Sequence, residues 1–209
     1  MKPLAIFGAG GMAKEAFFFA KDLHLKVGAF FDYRAREPLY GVDVLDEEDF
    51  NPEEFLAVIA IGKPTIRSRI ASRLSERHAT FMTLIHPSVV IYGRDTVTIG
   101  DGGFLCPGCL LTCDISLGKF CQLNLGTTIC HGTQAGDYFT TAPGVNISGN
   151  VKIGNNVHLG TNCSVIHEVT ITDNVTIGAG ACVVDDILES GTYAGTPARY
   201  IHEWTPSAD

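Results

Sequence analysis

Apolar residues recur along this chain in two rhythms, and the change comes near residue 86. Upstream, short apolar runs alternate with amphipathic stretches. Leu4–Phe7 (LAIF), Lys26–Asp32 (KVGAFFD) and Ala57–Ile61 (AVIAI) read as strands, and Phe81–Ile85 as a fourth. Gly8-Ala-Gly10-Gly11 leads into a helix from about Met12 to Leu23. Gly62-Lys63-Pro64 opens a second helix running to about Arg77, with proline near its first turn. The acidic, turn-rich stretch from Asp32 to Asn51 reads as a mobile loop holding at most one short strand. Strand–helix alternation of this kind predicts a small parallel α/β sheet over residues 1–85, about half of a dinucleotide-type fold.

From residue 86 to 209 the period becomes six. Written in sixes from Pro87, the first places hold Ile99, Leu105, Leu111, Leu117, Leu123, Ile129, Ala135, Ile147, Ile153, Leu159, Val165, Ile171, Ile177 and Val183, with Pro87, Gly93 and Thr141 as exceptions and no insertion. The second place favours glycine (Gly100, Gly118, Gly136, Gly154, Gly160, Gly178), which is expected to ease each bend; the fifth takes small or mid-sized residues such as Cys109, Cys121, Val145, Val157 and Cys163. A period of six fits neither a helix nor an alternating strand. It fits a triangular coil of three short strands and 18 residues per turn, filled by one aliphatic per hexad and stacked at roughly 4.8 Å.

Counting in eighteens then places side chains. His131 and His167 fall in one outward column with Cys113, Gly149 and Asp185, two coils or roughly 9.6 Å apart. Asp114 falls one strand below Gly132. His86, His158 and His202 read as solvated surface residues. Around His131 the residues are small and open (Gly132; Thr140–Gly149, TTAPGVNISG), which suggests a groove where a ligand docks against backbone.

Charge and cysteine content narrow the chemistry. The net charge of −8 argues against a nucleic-acid surface but leaves room for a small anion held by local charge, with Lys63, Arg67 and Arg199 as candidates. There is no apolar run of membrane-spanning length and no leader-like start, so a cytoplasmic protein with no membrane partner is expected. The seven cysteines are then reduced, and the hexad pattern accounts for Cys109, Cys121 and Cys163 as apolar fillers. Cys106-Pro-Gly-Cys109 lacks a second pair to complete a zinc site, and no metal is expected there.

Residues 129–183 with the tail Gly195-Thr-Pro197-Ala-Arg199 resemble the left-handed β-helix, hexapeptide-repeat acyltransferases. Including the Ile6–Ala16 segment (IFGAGGMAKEA), the whole chain resembles their sugar-acetyltransferase branch, which acts on nucleotide-linked amino sugars such as bacillosamine and perosamine precursors. The resemblance implies an α/β nucleotide-sugar-binding domain followed by a left-handed parallel β-helix. It implies a cytoplasmic homotrimer with active sites between neighbouring coils, using acetyl-CoA as co-substrate. The acceptor would be the amino group of a nucleotide-linked amino-deoxy sugar, a 4-amino-4,6-dideoxyhexose for surface glycan such as lipopolysaccharide O-antigen.

By the same resemblance His131 is the general base. Thr140, Gly149, Thr161 and Ala179 contact CoA through backbone, and Arg199 meets its phosphates. Gly10, Gly11, Met12, Asp32, Tyr33, Gly62 and Lys63 form the nucleotide-sugar pocket. Two positions depart from the pattern. The acidic residue that follows the histidine in well-known relatives is Gly132 here, so Asp114 is the candidate to orient His131. Thr140 stands where some relatives carry histidine.

Three alternatives stay open. A sialic-acid-type O-acetyltransferase shares both halves of this architecture. Gly8-x-Gly10-x-x-Ala13 with Asp32 also suits a dinucleotide enzyme. A β-helix metalloenzyme of γ-carbonic-anhydrase type would use His131 and His167, but Thr172 occupies the position of its third ligand.

Overall fold

The computed structural model describes residues 2–33 and 37–203, so part of the expected Asp32–Asn51 loop lies outside the described residues. The N-terminal domain is a four-stranded parallel sheet of β1 (Leu4–Phe7), β2 (Val27–Phe31), β3 (Val44–Leu45) and β4 (Leu56–Ile59), in the order β3-β2-β1-β4. The strands are apolar on both faces because each face is covered by a helix. Helix α1 (Gly11–Asp22) packs Ala13, Ala16 and Phe19 against Leu4, Ile6 and Phe30. Helix α2 (Pro64–Glu76) packs Ile70, Ala71 and Leu74 against Ala5, Phe7 and Phe31 on the other side. The strand order therefore reverses between β1 and β4, and open α/β sheets bind ligands beyond the strand ends at such a point.

The expected fourth strand over Phe81–Ile85 is divided between the domains. Phe81 makes a single parallel bridge to Ala57 at the sheet edge, whereas Leu84–Ile85 pair with Phe104–Leu105 in the coil. The coil is a left-handed parallel β-helix whose three faces run up the stack. The outward residues of the first face include Ser116, Gln134, Lys152 and Thr170; those of the second include Gln122, Thr140, His158 and Thr176; those of the third include Thr128, Asn146 and Ser164. Ile129, Ile147, Val165 and Val183 fill the interior, as do Cys109, Cys121 and Cys163, each no more than 1% exposed. Burial pushes the Cys109 thiol up to about 11 and those of Cys121 and Cys163 to about 12, so they remain protonated. Thr141, the exception among the interior positions, bonds the buried Thr127 hydroxyl at 2.7 Å and accepts the Asn124 N–H at 3.0 Å.

Two details of the register differ from the count in sixes. From Val97 to Val183 partners are 18 apart, as in Val97–Ile115, but Val175 pairs with Gly191, 16 apart, and Ile91 pairs with Leu111 and Ile85 with Leu105, which are 20 apart. Two extra residues sit in the corner around the short 3-10 turn Arg94–Thr96, so Ile85 and Ile91 face inward in place of Pro87 and Gly93. The second-place glycines also serve contact between coils, not the bend. A Cβ on Gly118 would lie 2.5 Å from the carbonyl carbon of Gly136. The bend falls two places later, where Asn150, Asn156, Asn162 and Asn174 adopt positive φ.

The α/β domain sits on the second face, and Arg67 bolts the seam. Anion binding was the expected use of its charge, yet Arg67 is 0% exposed. Its Nε donates to Phe120 O; one terminal nitrogen donates to Ile61 O, Gly62 O and Gln122 Oε1, and the other to Tyr138 O and the Thr140 hydroxyl. All its acceptors are neutral. Burial lowers its pKa to about 9, which still leaves it charged at neutral pH. Beside it Phe81 meets Phe120 edge-on at 4.8 Å, and Phe120 stacks on Tyr138 at 5.3 Å.

Candidate active site

Two regions carry the residues expected to function. The first lies beyond the C-terminal ends of β1, β2 and β4. Gly8, at φ +111, turns the chain sharply within 3.1 Å of Ala60 O, measured to a Cβ that only glycine lacks. Gly10 caps α1 with extended backbone and no side-chain bond, and neither Gly10 nor Gly11 would meet anything within 4 Å of an added Cβ. Their backbone is open to a ligand. Asp32 accepts the Ala9 N–H at 2.9 Å and so fixes this loop to the end of β2, with the exposed Tyr33 following it. Gly62 lies across from Met12, whose Cε would be 3.9 Å from an added Cβ, and Lys63 caps α2. Neither helix has an acidic residue in its first turn. The expected pocket residues Gly10, Gly11, Met12, Asp32, Gly62 and Lys63 thus gather beyond the strand ends at the reversal point, where open α/β sheets form a ligand crevice.

The second region is the corner between the third and first faces. The strand Thr128–Ile129 delivers Cys130, His131 and Gly132 to it, and His131 is exposed. Its imidazole lies flat on Gly149, where an added Cβ would be 2.5 Å from Cε1 and 2.7 Å from Nε2. Glycine is therefore required at 149 for the ring to take this pose. Gly132 has φ +70, and a Cβ there would be 2.2 Å from Asn150 Oδ1. An acidic residue after the histidine would displace Asn150, which accounts for its absence.

Asp114 does lie one coil beneath Gly132, with its N–H bonded to the Thr96 hydroxyl at 2.8 Å. It does not orient His131, however: among the described residues nothing hydrogen-bonds the ring. The Asp114 carboxylate addresses Cys113, whose thiol is pushed up by desolvation and then by the bond and charge of Asp114.

The placement of the other expected residues is uneven. Thr161 and Ala179 are exposed at the corner between the second and third faces. Among the described residues the N–H groups of Gly149, Thr161 and Ala179 have no acceptor; Gly149 is buried under the His131 ring, whereas those of Thr161 and Ala179 are open to a ligand. The corner between the first and second faces differs. There the N–H groups of Lys119, Asp137 and Asn155 are closed by the carboxylate of Asp137, the amide of Asn155 and the carboxylate of Asp173 at 2.7–2.8 Å.

Thr140 does not fit its expected role. It is 3% exposed, its N–H is bonded to Val157 O at 2.9 Å and its hydroxyl to Arg67, so it belongs to the domain seam. Arg199 is exposed and pairs with Asp185 at 3.2 Å, at the top of the His131 column.

Within one chain the two regions do not meet. The α/β domain covers the second face, and the His131 corner is the one opposite that face in the triangular section. Past the corner, Gln134, Lys152 and Thr170 on the first face line, with Ala135, Ile153 and Ile171, a shallow open hollow of about 480 Å³ without a facing wall. Sequence reasoning missed Arg67 as the interdomain link and His158, which is half-buried on the second face beside it and not solvated. Only pairing across the seam makes either visible. Among the described residues no three His, Cys, Asp or Glu side chains could hold a metal ion.

Comparison with known proteins follows the same division. Residues 3–74 match the PglD N-terminal domain, and residues 150–185 the bacterial transferase hexapeptide repeats. The GDP-perosamine N-acetyltransferase of Escherichia coli O157:H7 is 28% identical over 193 residues, spanning 88% of this chain and 78% of that protein. The acetyltransferase domain of PglB from Neisseria gonorrhoeae superimposes with a TM-score of 0.91 at 28% identity, over 96% of this chain and 100% of that one. The Caulobacter crescentus GDP-perosamine N-acetyltransferase, in a histidine variant bound to CoA and GDP-perosamine, gives 0.91 at 25% identity, over 97% and 98%.

Proposed function

Because this chain belongs to the hexapeptide-repeat, left-handed β-helix family of sugar acetyltransferases, we propose that it moves the acetyl group of acetyl-CoA to the amino group of a nucleotide-linked amino-deoxy sugar, a 4-amino-4,6-dideoxyhexose, with His131 as general base. It is an N-acetyltransferase acting on a nucleotide-linked amino sugar. The observation that carries the assignment of the base is the imidazole laid on Gly149 at an open corner, with the unpaired Gly149 N–H beside it.

The chemistry needs little else. The amine nitrogen attacks the thioester carbonyl carbon while an imidazole nitrogen of His131 takes its proton, and the carbonyl π bond shifts to oxygen. In this reading the Gly149 N–H donates to the developing oxyanion. Collapse breaks the C–S bond, and the imidazolium returns the proton to the CoA sulfur, leaving the amide and the free thiol. A thioester is already activated, so positioning and one base suffice. The free N–H groups of Thr161 and Ala179, with Arg199, hold the CoA arm and its phosphates. The crevice at Gly10, Gly11, Met12, Asp32, Tyr33, Gly62 and Lys63 holds the nucleotide-linked sugar.

A crevice and a base on opposite sides of one coil imply that the sugar on one α/β domain reaches the His131 of another copy. A homotrimer with a site at each coil interface supplies that arrangement and gives the first face its missing wall. In His131→Ala, kcat is expected to fall by about 10²–10⁴-fold with acetyl-CoA affinity retained. Wild-type turnover in that variant would refute the assignment and make His167 the next candidate. A coupled CoA-release screen of UDP-, dTDP- and GDP-linked amino sugars identifies the acceptor.

A further inference from the structure

On the second face the coil climbs in the direction in which β4 leaves the sheet. Gln122 donates to Ile59 O at the end of β4, at 3.0 Å. Through one terminal nitrogen Arg67 joins Gln122 to Ile61 O and Gly62 O, just past that end, and through the other it reaches Thr140 one rung up. The next rung is His158, paired in register with Thr140. His158 therefore stands one rung beyond Thr140 on the seam face, close to the Arg67 guanidinium that reaches Ile61 O and Gly62 O past the end of β4. Its ring is half-buried, and among the described residues it has no hydrogen-bond partner.

The electrostatics of this region oppose those of the whole chain. The protein carries −8 net and Asp32 adds a carboxylate, tied to the Ala9 N–H, to the crevice; yet Arg67 holds a buried positive charge bonded to neutral acceptors alone, Lys63 caps α2, and the N-termini of α1 and α2 open nearby. The arrangement suits an anion. We propose that His158 is a further substrate-binding residue, whose ring N–H hydrogen-bonds the diphosphate of the nucleotide-linked sugar where the crevice meets the second face. Burial, and then the charge of Arg67, hold its pKa below the usual 6.5. It is therefore neutral at pH 7 and acts as a directed donor; the attraction of the anion comes from Arg67, Lys63 and the helix ends.

This assignment rests on the nucleotide-sugar reading above, and one titration separates the two. UDP, dTDP and GDP are titrated calorimetrically into the intact wild-type protein, His158→Gln and His158→Ala, with acetyl-CoA titrated in parallel. His158→Ala is expected to bind the preferred nucleoside diphosphate about tenfold more weakly, and His158→Gln, which keeps a donor, within about threefold of wild type. Acetyl-CoA affinity stays unchanged in both. Wild-type diphosphate affinity in His158→Ala would overturn the role of His158 alone. Loss of both ligands together would make His158 a residue of the fold and equally overturn it. If the wild-type protein binds none of the three diphosphates, the nucleotide-sugar reading falls and His158 falls with it.

Discussion

Replacing Arg67 with methionine tests whether the seam is held by this one side chain. Methionine approximates the volume of the stem but carries no donor, so Ile61 O, Gly62 O, Phe120 O, Tyr138 O, Gln122 Oε1 and the Thr140 hydroxyl all lose a partner. Tyr138 O and the Thr140 hydroxyl keep each other at 3.1 Å, so four acceptors are orphaned, and at about 1–3 kcal/mol each the gross loss is about 8 kcal/mol. It is partly offset, because removing a charge whose pKa has been driven from 12.5 to about 9 relieves about 5 kcal/mol of desolvation. The balance is a destabilisation of about 3 kcal/mol, equivalent to roughly 6–12 °C in Tm for a chain of this size.

Urea denaturation followed by far-UV circular dichroism and by tyrosine fluorescence measures both the size and the pattern of the loss. The two probes are expected to separate in Arg67→Met, with the α/β domain unfolding first. Arg67→Lys keeps the charge but has three donors in place of five and should fall between. If Arg67→Met unfolds within about 0.5 kcal/mol of wild type with coincident probes, the reasoning that places the stability of the seam in this residue is wrong.

Gly149→Ala should lower kcat by about 10²-fold, because its Cβ would occupy the position of the His131 ring, while the melting temperature changes by only a few degrees. Steady-state assays beside a thermal melt check this; an active Gly149→Ala enzyme would mean the observed ring pose is not the working one. Asp114→Asn should leave kcat within about twofold of wild type, since the carboxylate does not bond the imidazole; a large loss with a shifted pH–rate profile would restore it as the orienting group. For His158 the folded pKa lies below the unfolded one, so below pH 6.5 the unfolded chain binds the proton more readily, and stability declines with acidification. His158→Gln should flatten that decline when urea midpoints at pH 7.5 and 5.5 are compared.

Much of this architecture was legible because a period of six admits few physical solutions. The interior residues from Ile99 to Val183 and the shared column of His131, Gly149 and His167 follow from counting. Three things did not follow from it. The extra residues at Arg94–Thr96 left no mark on composition, so counting downward from Ile99 reached Gly93 and Pro87 where Ile91 and Ile85 face inward. The glycines at the second places looked like bend residues, because a sequence does not display the next coil pressing on them. Arg67 looked like a surface charge, since a buried guanidinium satisfied by carbonyls from two domains depends on contacts more than 50 residues apart. The Asp114–His131 pairing failed for a related reason: adjacency of columns fixes where backbones sit, not where side chains turn.

The two-residue insertion has a wider meaning for how such a coil can change. Strand positions come in fixed steps, because each must meet the one below, but the arc joining two strands meets solvent and need not keep a fixed length. The chain absorbed two residues between Ile91 and Val97 without moving either strand off its partner. The base and CoA contacts proposed above, His131, Thr161 and Ala179, also sit on such arcs. Descent with insertion could therefore reshape what the surface recognises while the stacked interior stays untouched, and the loop around Gly93 is where a designer could graft a new segment at the least risk to the rest.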